Sequence, residues 1–215
     1  MTNVPYSGFI AGGHDFSRSS PQLTALAKEL AQARDLLGLT GHDVLPVGFG
    51  VLAFNSAGHS CCDNLTTLVD QYRPAAIWLF APASRSQYAE LITRLTVAGS
   101  AWGMKIFVQV GTLQSAREAL QDGADVLVVQ GGDAGGHQFA QGASVMTLVP
   151  EIADMLAEEE KSVTVPIIAA GGIMDGRGVA AALALGEYNT VEVTKIICAF
   201  QRDRAMCVLY AMGSG

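Results

Sequence analysis

Charge of either sign is scarce in this sequence, and no stretch of it stays apolar for long. Charged residues make up 15% of the 215 positions, and 13 Lys and Arg face 20 Asp and Glu, which gives a net charge of −7. No basic stripe is present, so neither nucleic acid nor an anionic membrane is an expected partner. No apolar run reaches the ~18 residues of a membrane span. The N-terminus also lacks the basic region and apolar core of a signal peptide.

Cysteine is scarce as well, with four residues in the chain. Cys61 and Cys62 are adjacent, while Cys198 and Cys207 lie far along the chain. Adjacent cysteines do not have the spacing of metal ligands, although His59 lies nearby, so no metal site is predicted. We interpret the cysteines as the reduced thiols of a cytoplasmic protein.

Hydrophobic residues are abundant and predict the architecture. They make up 50% of the chain, enough for a large buried core in one domain. Several short runs are apolar throughout rather than alternating, which is typical of strands buried on both faces of a parallel sheet. These runs cover residues 8–12, 45–54, 75–81, 105–110, 125–131 and 165–172.

Helical patterns lie between these runs. Ser20 can cap one helix, with Pro21 in its first position and Gly38 past its end. A helix over about 147–160 tolerates Pro150 if that residue lies in the first turn. Further helix starts are predicted at Ser84 or Ser86, at Thr112 and at Asp175.

Strict alternation of strands and helices predicts parallel βα units, in either a doubly wound sheet or a TIM barrel. Two features favour the barrel. The glycine-rich loops follow the last two predicted strands, where barrels place a phosphate site. The segment "GFIAGGHDFS" (8–17), after the first strand, lacks the G-x-G-x-x-G of a dinucleotide-binding sheet.

The two glycine-rich loops are "GGDAGGH" (131–137) and the one within "AAGGIMDGRG" (169–178). Glycine lets backbone N–H groups approach a phosphate closely, and a helix N-terminus adds a positive end. Either loop alone can instead be a tight strand-to-helix turn. Two such loops on consecutive parallel strands open at the same edge of the sheet, which favours one anionic ligand shared by both.

His137 is the only histidine in either loop. A lone histidine is often purely structural, but this one follows the glycines at the carboxyl end of a strand, where barrel enzymes keep their chemistry. We therefore favour a catalytic role. Asp133 can either orient a base or cap the loop, and both interpretations stay open. Trp102 is interpreted as a packing residue.

At these residues the sequence resembles a known family. "DVLVVQGGDAGGHQ" (125–138) followed by "VPIIAAGGIMDGRGVAAALALG" (165–186) resembles the nitronate monooxygenases, and the likeness extends over residues 7–186. The resemblance implies an FMN-binding TIM barrel that oxidises alkyl nitronates or nitroalkanes with O2 to a carbonyl compound and nitrite. Its partners would be the small-molecule nitronate and O2.

The resemblance also implies roles for individual residues. His137 matches the catalytic histidine beside the reactive edge of the flavin, where it accepts a proton from a nitroalkane or holds the nitronate. The matched cofactor-binding positions are the strand-end residues Gln109 and Gln130, the loop glycines Gly131 and Gly135, and one half of the phosphate cradle, Gly171 and Gly172.

The match departs from the family pattern at both ends. The family's first strand is not found, and residues 187–215 lack the Gly-Thr pair of the last strand, although "TVEVTKIICAF" (190–200) can form a strand. We therefore expect a partial barrel over 1–186 and a divergent segment over 187–215. Two alternatives remain: an FMN-dependent enoyl-ACP reductase-like enzyme, or a truncated, non-catalytic remnant of the family.

Overall fold

The computed structural model describes residues 8–55, 59–159 and 165–186, together with four short strands after residue 194. The chain divides into two compact units, with the boundary between Ile106 and Phe107. The first unit contains the strands and helices before this boundary, and the second contains those from 107 to 186.

In the first unit, three parallel strands alternate with three helices. Strand β2 pairs with β1 on one side and with β3 on the other, for example Phe9 opposite Gly48 and Gly50 opposite Trp78. The bounds are β1 Phe9–Ala11, α1 Pro21–Leu36, β2 Leu45–Leu52, α2 His59–Tyr72, β3 Pro74–Phe80 and α3 Arg85–Gly99, with single 3₁₀ turns at Ala53–Asn55 and Ser100–Trp102.

The second unit repeats this alternation. Strand β5 pairs in parallel with β4 and with β6, so that Val128 lies between Gln109 and Ile168. Its first strand, β4, crosses the boundary between the units. The bounds are β4 Lys105–Val110, α4 Leu113–Asp122, β5 Val126–Gln130, α5 Val145–Glu158, β6 Ile167–Ala170 and α6 Gly176–Leu185.

The predicted capping residues are confirmed, with Ser84 rather than Ser86 as the cap of α3. Ser20 caps α1 by accepting from the Gln22 N–H at 3.1 Å, with Pro21 directly after it. Thr112 and Ser115 cap α4 reciprocally, each side chain accepting from the other's backbone N–H. The six apolar runs are all strands, because an uninterrupted apolar segment has both faces covered in a parallel sheet.

Two helices differ from the prediction. Helix α2 was not predicted, since His59–Tyr72 is rich in Ser, Thr, Asn and Asp, which are weak helix formers. The helix is stabilised by apolar side chains that recur at helical spacing and are buried, namely Leu65, Leu68, Val69 and Tyr72. Helix α5 starts at Val145 after its cap Ser144, so Pro150 lies inside the helix and not in its first turn.

After residue 194 the described segments are four short strands that pair antiparallel. Strand β7 (Lys195–Ile197) pairs with β10 (Val208–Tyr210), and β8 (Phe200–Gln201) pairs with β9 (Arg204–Ala205). The strand predicted within 190–200 thus exists in part, but its partner β10 runs antiparallel to it. No helix in the described part of the chain is long and apolar enough to cross a membrane.

Candidate active site in the second unit

The residues predicted to form the site all lie in the second unit, at the carboxyl ends of its strands. Gln109 is the penultimate residue of β4, Gln130 is the last residue of β5, and Gly171 directly follows β6. Ligands of parallel α/β folds bind at this edge of the sheet. The structure therefore brings the predicted residues to one edge.

The two glycine-rich loops pack against each other. The Gly131 N–H donates to the Ala170 carbonyl at 2.9 Å, which continues the pairing of β5 with β6 beyond the strands. A Cβ placed on Gly171 would lie 3.0 Å from the nitrogen of Ala134, and one on Gly172 would lie 3.3 Å from the Cβ of Asp133. The loops form one continuous surface, and side chains at the two later glycines would crowd it.

Gly171 and Gly172 have left-handed backbone conformations, with φ of +115° and +69°. Only glycine adopts such angles in succession without strain. Within the described residues, neither N–H donates a hydrogen bond to the protein. Two free N–H groups in such a turn are the usual donors of an anion-binding concavity.

Two N–H groups at the N-terminus of α6 are already bonded to the Asp175 side chain. The Asp175 carboxylate accepts from the N–H groups of Arg177 and Gly178 at 3.0 and 3.3 Å, and it pairs with the Arg177 guanidinium. The bond from Arg177, followed by those backbone bonds, holds the pKa of Asp175 below its usual value. The donors that this loop offers an anion therefore include the N–H groups of Gly171 and Gly172 but not those of Arg177 and Gly178.

The glycines of the first loop serve different purposes. A Cβ on Gly131 would lie 2.3 Å from the nitrogen of Val145, so α5 can approach only a glycine there. A Cβ on Gly135 would meet no atom within 4 Å. The backbone at Gly135 is open, whereas Gly131 is explained by packing alone.

Asp133 acts as a cap. Its carboxylate accepts from the Ser144 hydroxyl at 2.8 Å and from the Val145 N–H at 3.0 Å, at the start of α5. The Ser144 bond, followed by the Val145 bond, lowers the pKa of Asp133 from its usual value. Of the two interpretations left open by the sequence, the structure supports the cap, and among the described residues Asp133 makes no bond to His137.

His137 is exposed at the end of this loop. Its backbone carbonyl accepts from the Gln130 side chain at 3.2 Å. Gln130 in turn accepts from Gln109, whose amide nitrogen lies 2.6 Å from the Gln130 oxygen. The imidazole itself makes no hydrogen bond to the described residues, so both ring nitrogens are available to a ligand.

Phe139 was not singled out from the sequence. A Cβ on Gly111, just after β4, would lie 2.4 Å from the Phe139 ring, so the ring rests on bare backbone. The only sequence signal was an aromatic residue shortly after His137, which is too common to predict this contact. The ring anchors the segment that carries His137 to the end of β4.

Other chemistry-bearing residues are occupied structurally. The Trp102 indole N–H donates to the Pro74 carbonyl at 2.8 Å, and the Arg73 guanidinium lies 4.5 Å from its ring centre, as expected of a packing residue. Cys61 and Cys62 are buried free thiols. Over residues 8–55, 59–159 and 165–186, no group of three His, Cys, Asp or Glu is arranged to hold a metal.

Comparison with known proteins identifies the family of this chain. The family model for nitronate monooxygenase matches residues 66–199, more than half of the chain. A nitronate monooxygenase of Neurospora crassa is 42% identical over 208 residues, covering 90% of this chain and 54% of that protein. The nitronate monooxygenase npaC of Metarhizium robertsii is 38% identical over 177 residues, covering 80% of this chain and 46% of that protein.

Solved structures show the same fold at lower identity. A nitroalkane oxidase from Streptomyces ansochromogenes superposes with a TM-score of 0.59 at 22% identity, covering 87% of this chain and 56% of that one. FabK from Thermotoga maritima superposes with a TM-score of 0.53 at 22% identity, covering 90% and 59%. These likenesses confirm the TIM-barrel-like α/β fold class. At 22% identity they are evidence for the fold alone.

The chain spans about half the length of the curated relatives it matches. Within that span, the match includes both glycine-rich loops and the strands that precede them. This chain belongs to the nitronate monooxygenase family of oxidoreductases.

Proposed function

We propose that this chain binds FMN and oxidises alkyl nitronates or nitroalkanes with O2 to a carbonyl compound and nitrite. The observation that carries this proposal is the junction of the two glycine-rich loops at the ends of β5 and β6, with His137 exposed at the end of one of them. The family membership of the chain supports the same activity.

The residues present fit a flavin mononucleotide. Gly171 and Gly172 offer two N–H groups that donate to none of the described residues, in a turn suited to a phosphate. Gly135 presents open backbone against which a flat ring can lie, and the strand-end amides Gln109 and Gln130 offer polar contacts. Gly131 would contribute only backbone. Bound FMN would supply electron transfer between the nitronate and O2.

His137 would handle the charge and the proton of the substrate. A neutral nitroalkane must lose a proton from carbon, and an imidazole is the side chain suited to accept it near neutral pH. A nitronate is already an anion, and a protonated imidazole would hold it by charge. Because the His137 imidazole has no protein partner among the described residues, either role is open to it.

The partners proposed are the nitronate and O2. We also propose a cytoplasmic location, which the free thiols of Cys61 and Cys62 support.

The test is to load the purified chain with FMN, remove free flavin by desalting, and record the flavin absorption and nitrite release from an alkyl nitronate. We expect retained flavin and nitrite. His137→Ala should keep the flavin and lose most turnover of the neutral nitroalkane. His42→Ala, at an exposed histidine of the first unit, is the matched control and should leave both unchanged.

Two outcomes would overturn the proposal. A folded chain that retains no flavin would be a non-catalytic member of the family. A chain that retains flavin but reduces an enoyl thioester with NAD(P)H, and releases no nitrite, would be an enoyl-ACP reductase-like enzyme.

A further inference from the structure

Two side-chain amides and one backbone carbonyl form a line of hydrogen bonds across the site. The Gln109 Nε2 group donates to Gln130 Oε1 at 2.6 Å, and the Gln130 Nε2 group donates to the His137 carbonyl at 3.2 Å. The line starts on β4, crosses β5 and ends on the residue proposed to meet the substrate.

The second of these bonds closes the glycine-rich loop. Gln130 is the last residue of β5, and His137 ends the segment that contains four of the chain's glycines. Glycines restrict the backbone least, so this segment has many conformations to lose. A bond from Gln130, directly before this segment, to the carbonyl of its last residue restricts which of these conformations form.

The first bond fixes the orientation of the Gln130 amide. Gln109 lies opposite Val128 in the register, and side chains two residues apart on a strand share a face, so Gln109 and Gln130 lie on the same face of the sheet. Gln109 is only 9% exposed, which makes an unsatisfied amide there costly. Because Gln109 donates to the Gln130 oxygen, the Gln130 nitrogen is turned toward His137.

We propose that Gln130 is a positioning residue for His137. It holds the His137 carbonyl, and thereby sets the direction in which the imidazole leaves the loop, while Gln109 sets the orientation of the Gln130 amide. This role goes beyond flavin contact. Its catalytic consequence rests on the proposed function, but the closure of the loop does not.

The first test needs no activity. Amide hydrogen exchange is measured over residues 131–137 in wild type and in Gln130→Glu, which can still accept from Gln109 but cannot donate to His137. The loss of one net hydrogen bond should speed exchange about three- to tenfold in this segment. Gln114→Leu removes an exposed glutamine that bonds Glu118 on α4, and it should leave the loop unchanged.

Gln109→Glu provides a second variant, since it removes the donor that orients Gln130 and keeps the shape of the side chain. It should also speed exchange in the loop, by a smaller factor. Unchanged exchange over 131–137 in both variants, with the fold intact, would overturn the proposal.

The second test uses turnover and a double-mutant cycle. With the flavin site saturated, Gln130→Glu should lower kcat/KM for nitroalkane, and it should cost nothing further in a His137→Ala background. An equal loss in both backgrounds would show that Gln130 does not act through His137, which would contradict the positioning role. If wild type shows no turnover, the proposed function fails while the exchange result still decides the loop closure.

Discussion

The Ser144 hydroxyl donates to the Asp133 carboxylate at 2.8 Å, so the glycine-rich loop after β5 and the start of α5 are held by one side chain. Asp133→Ala removes this cap and leaves the Val145 N–H without its acceptor. We expect a lower melting temperature and weaker FMN retention, because the backbone beside Gly172 loses its anchor. Calorimetry and desalting of the loaded protein would measure both.

The same cap predicts a pH dependence. The folded-state pKa of Asp133 is lowered, so its contribution to stability is present above the ordinary carboxyl pKa of 3.8 and is lost as pH falls through the folded-state value. The stability difference between wild type and Asp133→Ala should be constant from neutral pH to about pH 5 and should shrink below 3.8. A difference that persists undiminished in strong acid would contradict the charged cap.

Gly172 and Gly103 form a matched pair, since their φ angles are +69° and +71°. Alanine in this conformation costs about 1–2 kcal/mol of unfolding free energy at either position. Only Gly172→Ala should also weaken FMN retention, because its methyl group would crowd Asp133, whereas a Cβ on Gly103 meets nothing within 4 Å. Denaturant titration measures the first effect and flavin titration the second. Equal flavin retention in the two variants would show that Gly172 does not contribute to the phosphate cradle.

Cys61 predicts an alkaline limit to stability. Burial, followed by the neighbouring Cys62, raises the pKa of the Cys61 thiol from 9.0 to about 11. The unfolded chain therefore releases this proton at lower pH than the folded chain does, and stability falls as pH rises from 9 to 11. Cys61→Ala should show a shallower loss of stability over this window. The thiol should also react with an aromatic disulfide at pH 8 only as fast as the protein opens.

Trp102→Phe separates packing from ligand binding. The variant keeps an aromatic ring beside Arg73 and loses the hydrogen bond to the Pro74 carbonyl. We expect a loss of about 1 kcal/mol in unfolding free energy and unchanged FMN retention. Weaker flavin binding in a fully folded Trp102→Phe protein would show that Trp102 contributes to the site.

Much of the fold could be predicted because its strands are uninterrupted apolar runs and its helices start at good caps. Ser20, Thr112 and Asp175 each cap the helix that the sequence placed after them. Helix α2 could not be predicted from propensity, since its stability comes from buried contacts of residues such as Leu65 and Val69.

The site could be predicted only in part. Glycines and a histidine after strands indicate where a ligand binds. They do not indicate which side chains hydrogen-bond or pack against each other within the loop. The cap at Asp133 depends on Ser144, eleven residues later, and Phe139 rests on Gly111, which lies before β5 in the chain. Contacts of this kind depend on how a loop folds back, and neither periodicity nor composition encodes that.

Arg34 stabilises the first unit through contacts that lie away from the ligand-binding edge of such folds. Its guanidinium donates to the carbonyls of Gly41, Asp43 and Tyr72, just before β2 and β3 begin. These contacts lie at the amino ends of the strands, opposite the edge where such folds bind ligands. Changes at Arg34 can therefore tune how firmly α1 and α2 are joined, and selection for thermal tolerance can act there with little effect on the loops at the carboxyl ends.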